Sequence, residues 1–406
     1  MTVDLRGVEA ADVYLDGTVV AALTRTETDD IVFEYLPDRP VAGPRIRDDS
    51  VSWSLLADGS YPLLTSGGAV PPYFAGLLPE GVRLGAVLTS TKTSVDDHLT
   101  LLLAVGADAV GNVRVVPAGT APPDPVPMFS PGDGTDLRQV FERLAGSVDA
   151  DPVALAGVQP KVSAAMWSVP TRTPAGPAIL KLTPPTGFPR LSENEHFFMR
   201  MAAACGLRVP ETRLIRDAEG RSGLLVARFD RRGSTRIAQE DACQVAGLYP
   251  ASKYRLKTES VIVSLSDACA RGGGSRVAAM LELLRTVVFS WLIGNGDLHG
   301  KNLSIHAPDG MWEPTPAYDL LSTQPYTAWR DPMALTLYGR GNRLRREHFV
   351  DAGIRLGVRE RALTRMIDAV ADAAESWADR CGEIGFPDRE TDRLAALLRE
   401  RTASLR

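Results

Sequence analysis

The chain has 406 residues, of which 44% are hydrophobic and 23% charged, and its formal net charge is −5 at pH 7. These values predict a folded protein of two or three domains. They exclude a disordered chain, a fibrous repeat and a nucleic-acid binder that depends on bulk positive charge. The four cysteines stand far apart without a C-x-x-C pair, and the acidic first residues, MTVDLRGVEA, contain no apolar run. We therefore expect a cytoplasmic protein with reduced thiols and no signal peptide.

Lysine is scarce in this chain, which contains 39 arginines and only 6 lysines. The lysine ammonium is a compact point charge, whereas the arginine guanidinium is a wide planar fork. A lysine that is retained against this bias is therefore a candidate for a role that arginine cannot fill. Three of the six lie in the motifs described below, namely Lys161, Lys181 and Lys301.

The first part of the chain is predicted to be rich in β-strands. Residues 12–36 alternate between apolar and polar, and the pair Asp16-Gly17 is typical of a two-residue hairpin turn. A helix is predicted near residues 95–105. Proline and glycine crowd residues 117–135, which indicates a linker and hence a domain boundary.

From residue 136 onward the pattern combines strands with helices. Strands are predicted at residues 177–182 (PAILKL) and 223–230 (GLLVARFD), and a helix at residues 192–205 between them. Residues 276–293 form an 18-residue, mostly apolar segment, but its charged residues favour a buried core helix over a membrane span. The last 50 residues predict two amphipathic helices.

The most informative motif is GNGDLHGKN, residues 294–302, between the apolar segment and a predicted β-hairpin that turns at Pro308-Asp309-Gly310. Asp297 and Asn302 are five residues apart, as in the catalytic loop of kinases. There the aspartate orients or deprotonates the attacking hydroxyl and the asparagine holds Mg²⁺. Asp319, one hairpin later, stands where kinases place a second Mg²⁺ ligand, and these oxygen atoms suit that ion.

The two histidines near this motif have structural interpretations. We expect His299 to orient the loop through a hydrogen bond of its ring. A metal site made by His299 and His306 is disfavoured, because no further histidine stands at ligand spacing.

Lys181 lies on the predicted PAILKL strand, where an ammonium requires an anionic partner. In kinases these partners are a nucleotide phosphate and a helix glutamate. Glu195 is the natural candidate, with Glu193 as the fallback, but Glu195 also completes a capping box with Ser192. The two roles of Glu195 compete for one carboxylate, and Lys181 could instead extend its ammonium to solvent from an edge strand.

Two further segments are candidates for nucleotide binding. Gly157-Val158-Gln159-Pro160-Lys161 matches neither a Walker A loop nor a G-x-G-x-x-G loop, but it precedes the Lys181 strand, where kinases close a loop over the phosphates. Ala227 and Phe229 end the next strand, and their backbone could contact the adenine edge. The following Arg231-Arg232 is typical of a solvated turn.

Taken in order, these segments resemble the HipA family of bacterial serine/threonine kinases, over nearly the whole chain. The resemblance rests on several strings together: GLLPEGVRLGAVL, AGVQPK, AILKL, LSENEHFFMRMAAACGLRVPETRLI, LLVARFDRR, IAQEDACQVAGLYPASKY, FSWLIGNGDLHGKNLSIH and PAYDLLSTQPY. It implies an α+β, bilobal protein-kinase-like fold with a β-rich N-terminal subdomain and an all-α C-lobe. The implied divisions are 1–116 for the subdomain, 117–135 for the linker, 136–235 for the N-lobe and 236–406 for the C-lobe.

The resemblance also implies a site and partners. Asp297 matches the catalytic base, and Lys301 lies near the γ-phosphate. Asn302 and Asp319 match the Mg²⁺ ligands. The residues implied to bind ATP are Gln159, Lys161, Lys181, Glu195, Ala227, Phe229 and His299. Members of the family phosphorylate aminoacyl-tRNA synthetases as growth-arresting toxins, and a small helix-turn-helix antitoxin, HipB, binds both toxin and operator DNA.

One position departs from the family pattern. Several members autophosphorylate a serine just upstream of the phosphate loop and so become inactive, but the aligned residue here is Ala154, which has no hydroxyl. We therefore predict that this inactivation route is absent, and a phosphate mapped to residues 150–165 after incubation with Mg·ATP would contradict the prediction. Two other functions stay open: an aminoglycoside-type small-molecule kinase, and a catalytically weak nucleotide-binding scaffold or co-repressor.

Overall fold

A computed structural model of the protein describes residues 4–37, 50–58, 61–123, 136–145, 166–184 and 187–406. Among these residues, no helix is both long and apolar enough to cross a membrane. All four cysteines are buried and unpaired, which agrees with the prediction of free thiols.

The N-terminal region, residues 10–117, contains a five-stranded antiparallel sheet with the strand order β4-β3-β2-β1-β5. Its strands are β1 Ala10–Leu15, β2 Thr18–Arg25, β3 Ile31–Tyr35, β4 Leu63–Thr65 and β5 Val113–Pro117. Asp16 and Gly17 connect β1 and β2 with positive φ angles of 48° and 87°, which is the conformation that a tight hairpin requires. The predicted hairpin is therefore confirmed.

Helices close one face of this sheet and bury its alternate apolar residues. They are α1 Pro72–Gly76 and α3 His98–Val105, and α3 confirms the helix predicted near residues 95–105. Helix α2, Gly81–Thr91, packs instead against the core of the second sheet. Phe33 on the sheet packs against Phe74 on α1, with ring centroids 5.5 Å apart. The region thus has an apolar core of its own.

A second antiparallel sheet, of order β6-β7-β9-β8, carries Lys181. Its strands are β6 Trp167–Thr173, β7 Gly176–Leu182, β8 Thr212–Arg216 and β9 Ser222–Ala227. Leu180 and Leu225 face helix α4, Leu137–Ala145, in a small core. Because side chains alternate along a strand, Lys181 lies on the opposite face, towards helix α5, Leu191–Ala204.

Strand β9 ends three residues earlier than predicted, because the chain turns there into a buried cluster of charged residues. Arg228 and Arg231 both pair with Asp230 at 2.7 Å, and both reach Asp108 of the N-terminal region. Arg231 is only 6% exposed, so the prediction of a solvated turn is wrong for Arg231. The prediction of a solvated turn is correct for Arg232, whose side chain is 62% exposed.

The C-terminal part is mainly helical. Its helices are α6 Ala242–Val245, α7 Thr258–Arg271, α8 Arg276–Ile293, α9 Arg346–Arg355, α10 Glu360–Ala374 and α11 Asp388–Ser404. Helix α8 has the predicted bounds, and α10 and α11 are the two predicted amphipathic helices. This part also carries short strands, the pair β10 Arg231–Arg232 and β11 Thr235–Arg236 and the three-stranded sheet of β12 Gln239–Asp241, β13 Ser304–His306 and β14 Glu313–Pro314.

The N-terminal region is bonded to the C-terminal part through the string IAQEDACQVAG. The buried Glu240 carboxylate accepts hydrogen bonds from Ser52 Oγ at 2.6 Å and from the Trp53 N–H at 3.2 Å. Gln244 Nε2 donates to the Tyr73 carbonyl at 3.0 Å. A buried carboxylate with such partners is costly to separate from them, so the two parts are firmly joined.

Candidate active site

The 294–302 loop begins where the buried helix α8 ends. Gly294 caps the helix with φ 72°, a left-handed conformation that glycine adopts without strain. Gly296 also requires its lack of a side chain, because a Cβ atom there would lie 2.0 Å from an Asp331 carboxylate oxygen. The loop is therefore fixed at its start, in a buried position.

Asp297 is only 2% exposed and is held from several sides. Its N–H donates to Asn295 Oδ1 at 2.9 Å, and its carbonyl accepts from Asn302 Nδ2 at 3.0 Å. The Tyr254 hydroxyl donates to Asp297 Oδ1 at 2.8 Å. Burial and the nearby Asp297 carboxylate raise the pKa of Tyr254, so the phenol keeps the proton that it donates.

Lys181 lies between two carboxylates. Its ammonium is 2.7 Å from Glu195 Oε1, and its other partner is Asp319 Oδ1. Burial alone would lower the pKa of Lys181, but the Asp319 and Glu195 carboxylates outweigh it and raise that pKa, so the ammonium stays charged. The predicted strand lysine thus has the predicted helix glutamate as a partner, and it also reaches Asp319.

The backbone at Asp319 is held in an unusual conformation. Its φ is 55°, in the left-handed region that a residue with a side chain adopts at a cost of about 1–2 kcal/mol. Asn295 Nδ2 donates to the Asp319 carbonyl at 3.3 Å. Asn295 therefore connects the loop on one side, through Asp297, with the Asp319 segment on the other.

The capping box proposed for Ser192 and Glu195 is absent. Helix α5 starts at Leu191, its N-cap is Arg190, and no side chain caps it. Ser192 Oγ lies 2.9 Å from Thr183 Oγ1, so it is engaged elsewhere. Glu193, the fallback partner of Lys181, instead accepts from Arg190 and Ser222. Of the two roles that the sequence left open for Glu195, the structure therefore shows the ion pair with Lys181 and not the capping box.

Lys301 is hydrogen-bonded to the N-terminal region. Its ammonium donates to Glu80 Oε1 at 2.8 Å and to the Gly76 carbonyl at 3.0 Å, both in the N-terminal region. Two of the three N–H donors of Lys301 are therefore directed at the N-terminal region, and its position near a γ-phosphate stays a prediction.

The two hinge candidates differ in what they offer. The Ala227 N–H donates to the Glu211 carbonyl at 2.9 Å, so it is not available to an adenine ring. Phe229 places its ring 5.7 Å from that of Tyr318 and 5.9 Å from that of His306. Tyr318 in turn donates to the Lys301 carbonyl at 2.7 Å, which ties this aromatic group to the 294–302 loop.

A cleft of about 80 Å³ opens beside this hinge, between the Lys181-bearing face of the second sheet and the N-terminal region. Pro170 and Ile179 line one wall, and Leu77, Val105 and Val110 line the other. Arg83, Asp108 and Arg228 also line this cleft, so its walls combine apolar and charged groups.

His299 is buried, and burial lowers its pKa to about 4. Within the described residues its Nδ1 atom has no hydrogen-bond partner, so this ring nitrogen does not make the expected orienting bond. Its ring instead packs edge-on against Tyr254, with centroids 5.0 Å apart. This contact stabilises the tyrosine that donates to Asp297.

Gln159, Lys161 and Ala154 lie outside the described residues, so the phosphate loop stays a prediction. Four residues in or beside the 294–302 loop were not identified from the sequence: Glu80, Lys253, Tyr254 and Asn295. Lys253 and Tyr254 end the string IAQEDACQVAGLYPASKY, and the scarcity of lysine was the one available signal for Lys253. Asn295 lies within the recognised loop motif, but no spacing rule assigns it a role.

A strand lysine bonded to a helix glutamate, next to a buried loop with an aspartate and an asparagine, defines a protein of the kinase-like class. The comparisons with known proteins identify the family. Residues 11–116 match the model of the HipA N-terminal domain, and residues 153–378 match that of the HipA-like C-terminal domain. The latter covers more than half of the chain, which therefore belongs to the HipA family.

Similar proteins agree with this assignment. The putative kinase Y4mE of Sinorhizobium fredii is 30% identical over 90% of this chain and 91% of its own length. The serine/threonine-protein kinase toxin HipA of Shewanella oneidensis is 28% identical over 65% of this chain and 66% of its own length. A chain of the solved Shewanella oneidensis HipA, HipB and operator DNA complex has a TM-score of 0.75 over 97% of this chain and 96% of its own, at 21% identity. The bilobal, kinase-like α+β fold is thereby established.

Proposed function

We propose that this protein is an ATP- and Mg²⁺-dependent serine/threonine protein kinase that transfers the γ-phosphoryl group to a hydroxyl of another protein. The observation that carries the proposal is the position of Lys181 between Glu195 and Asp319, beside a loop that buries Asp297. In kinases such an arrangement binds the phosphates and orients the acceptor.

The donor set fits Mg²⁺. The Asn302 amide donates through Nδ2, which leaves its Oδ1 as a ligand atom, and Asp319 adds a carboxylate. Both are hard oxygen ligands. The bound ion would neutralise charge on the nucleotide phosphates.

The residues of this chain have separate roles in the proposed transfer. Asp297 accepts the proton of the serine or threonine hydroxyl as the new oxygen–phosphorus bond forms and the β–γ bridging bond breaks. Tyr254 holds one oxygen of that carboxylate, and Lys181 holds the phosphates. Positioning and electrostatics supply most of the acceleration.

We further propose a HipA-type biological role. The substrate would be a translation factor such as an aminoacyl-tRNA synthetase, and phosphorylation would arrest growth. A HipB-like antitoxin would bind the protein and connect it to operator DNA. The solved relative's complex with HipB and operator DNA supports this part. Co-purification with a small helix-turn-helix protein encoded beside this gene tests it.

The decisive experiment is transfer from γ-labelled ATP and Mg²⁺ into a host lysate, with wild type beside Asp297→Asn. We expect a discrete labelled protein with wild type and at least about a hundredfold less label with the variant, since a positioned base contributes roughly 10²–10⁴-fold. Wild type and Asp297→Asn should bind the nucleotide equally well. Label that appears only on small molecules would instead indicate the small-molecule kinase, and no label from wild type would indicate the nucleotide-binding scaffold.

A further inference from the structure

Glu80, on the N-terminal region immediately before helix α2, is the shared partner of two lysines of the C-terminal part. Glu80 Oε1 lies 2.8 Å from the Lys301 ammonium, and Glu80 Oε2 pairs with Lys253. Each of the two lysine side chains is only 16% exposed. Neither Glu80 nor Lys253 belongs to the site defined by Asp297, Lys181 and Asp319.

The electrostatics of this group favour a permanent ion pair. Burial raises the pKa of Glu80, but the Lys301 and Lys253 ammonium groups outweigh that effect and lower it to about 2. Burial lowers the pKa of Lys301, and Glu80 and Asp241 more than restore it. Without the Glu80 carboxylate, two half-buried ammonium groups would face each other, which is unfavourable.

Both lysines are covalently next to groups of the catalytic centre. Lys253 precedes Tyr254, whose hydroxyl donates to Asp297 at 2.8 Å. The Lys253 carbonyl also accepts the N–H of Gly300 at 3.0 Å. Lys301 precedes Asn302, whose amide donates to the Asp297 carbonyl at 3.0 Å. Two residues therefore connect Glu80 with Asp297 on each of two routes, Lys253 and Tyr254 on one and Lys301 and Asn302 on the other.

The space around the loop leaves little room for another arrangement. A Cβ atom on Gly300 would lie 2.5 Å from Leu256 and 3.1 Å from the Cys243 sulfur. A Cβ atom on Gly76, whose carbonyl accepts from Lys301, would lie 2.7 Å from the Gln244 side chain. The loop is therefore closely packed against Leu256 and Cys243, and helix α1 against Gln244.

We propose that Glu80 is a positioning residue for phosphoryl transfer: its ion pairs with Lys253 and Lys301 hold Tyr254 and Asn302 where they orient Asp297. The N-terminal region is then a required part of the catalytic unit, and Lys301 acts as a strut rather than as a phosphate ligand. This inference rests on the proposed kinase function.

The test compares wild type, Glu80→Gln, Glu80→Asp and the control Glu34→Gln, which alters an exposed glutamate of the same region. The readouts are turnover and KM for ATP with the labelled lysate protein, and hydrogen exchange of residues 297–302. We expect Glu80→Gln to lower turnover about 10- to 100-fold, the range caused by small misplacement of reacting groups, with KM for ATP within about twofold. Exchange in the loop should accelerate, and Glu80→Asp should recover part of the turnover.

A double variant separates a strut from a phosphate ligand. If Lys301 acts through Glu80, Glu80→Gln combined with Lys301→Met should lose little more turnover than the worse single variant. Multiplied losses, with a raised KM for ATP in Lys301→Met, would overturn the strut role.

The outcomes also separate this inference from the proposed function. Active wild type with unchanged turnover and exchange in Glu80→Gln overturns the role of Glu80 and leaves the kinase function intact. Inactive wild type overturns both, even if exchange in the loop still responds to Glu80→Gln. If Glu80→Gln fails to fold, Glu80→Asp is measured in the same way, because it keeps the charge but has a shorter side chain. Full turnover of Glu80→Asp together with unchanged hydrogen exchange in the loop would contradict the proposal.

Discussion

Two lysine–carboxylate clusters flank the 294–302 loop, and they have opposite compositions. In one, Lys181 lies between Glu195 and Asp319, so two carboxylates surround one ammonium. In the other, Glu80 lies between Lys253 and Lys301, so two ammonium groups surround one carboxylate. Among these directly paired groups, carboxylates outnumber ammonium groups by one in the first cluster, although burial raises the pKa of Glu195. In the second cluster ammonium groups outnumber carboxylates by one, and Asp241 lies near Lys301 as a further carboxylate.

This difference distinguishes a site that can bind a cation and a nucleotide from a structural contact with the N-terminal region. A surplus negative charge beside the Asn302 amide can accept a divalent cation and its nucleotide, so the first cluster is incomplete without a ligand. The second cluster is directed at backbone and side-chain groups of the N-terminal region and has no comparable surplus for a cation. Charge balance therefore distinguishes two groups that contain the same residue types.

Lys181→Met should have the largest effect on the first cluster. It leaves Glu195, which is 1% exposed, without its cation, and breaking such a buried pair costs about 3–5 kcal/mol. We expect the free energy of unfolding to fall by roughly 3 kcal/mol in urea denaturation, with phosphate transfer lost. The control Lys92→Met removes an exposed lysine and should leave both unchanged. Equal stability of the two variants would contradict the assignment.

Asp319→Asn should abolish the surplus negative charge without straining the backbone, because asparagine adopts the left-handed region readily. We expect transfer to fall about a hundredfold and the Mg²⁺ concentration at half-maximal rate to rise at least about tenfold. A Mg²⁺ titration of the labelled transfer reaction measures both quantities. Asp351→Asn, at an exposed position, is the control. An unchanged Mg²⁺ requirement would remove Asp319 from the metal site.

The second cluster should show its charge in the pH dependence of stability. The pKa of Glu80 is lowered from 4.5 to about 2, so its ion pairs stabilise the fold fully above pH 4.5. That contribution is lost as the pH falls from about 4.5 to about 2, because the unfolded chain binds the proton first. The difference in melting temperature between wild type and Glu80→Gln should therefore be larger at pH 6 than at pH 3. A difference that grows with acidity would refute the assigned charge state.

An exposed ion pair provides the baseline and the smallest effect. Arg232 and Asp309 are 2.8 Å apart but 62% and 72% exposed. We expect Arg232→Ala to change the free energy of unfolding by less than about 0.5 kcal/mol and to leave transfer intact, because water and salt screen such pairs. A loss above 1 kcal/mol would mean that charge pairing alone, without burial, stabilises this protein.

Local pattern predicted much of the fold. The Asp16-Gly17 hairpin and the bounds of helix α8 follow from turn chemistry and from the length of the apolar segment, which are both local properties. Strand β9 was predicted too long, because the local pattern could not show that Arg228 and Arg231 pair with Asp108, 120 and 123 residues away in the chain. The prediction that Arg231 is exposed to solvent was wrong for the same reason.

The site was predicted unevenly. Asp297, Asn302 and Asp319 carry a recognisable spacing, and Lys181 is conspicuous on an apolar strand. Glu195 could not be assigned, since a capping box and an ion pair use the same carboxylate, and the left-handed Arg190 at the N-cap decided between them. Glu80 and Tyr254 have no local signal, because their partners lie 221 and 43 residues away in the chain.

The sequence by itself determined five helices, α3, α5, α8, α10 and α11, about half of the strands, and the residue types that could bind a nucleotide and a cation. These depend on periodicity, turn chemistry and side-chain chemistry, which neighbouring residues express without the rest of the fold. Only the tertiary structure decided which carboxylate each lysine meets. Lys181 and Lys301 were both expected near the nucleotide phosphates, the latter only from the family resemblance, but Lys181 pairs with Asp319 and Lys301 pairs with Glu80. The folding of the chain makes that choice, because it brings a different carboxylate within 3 Å of each ammonium group.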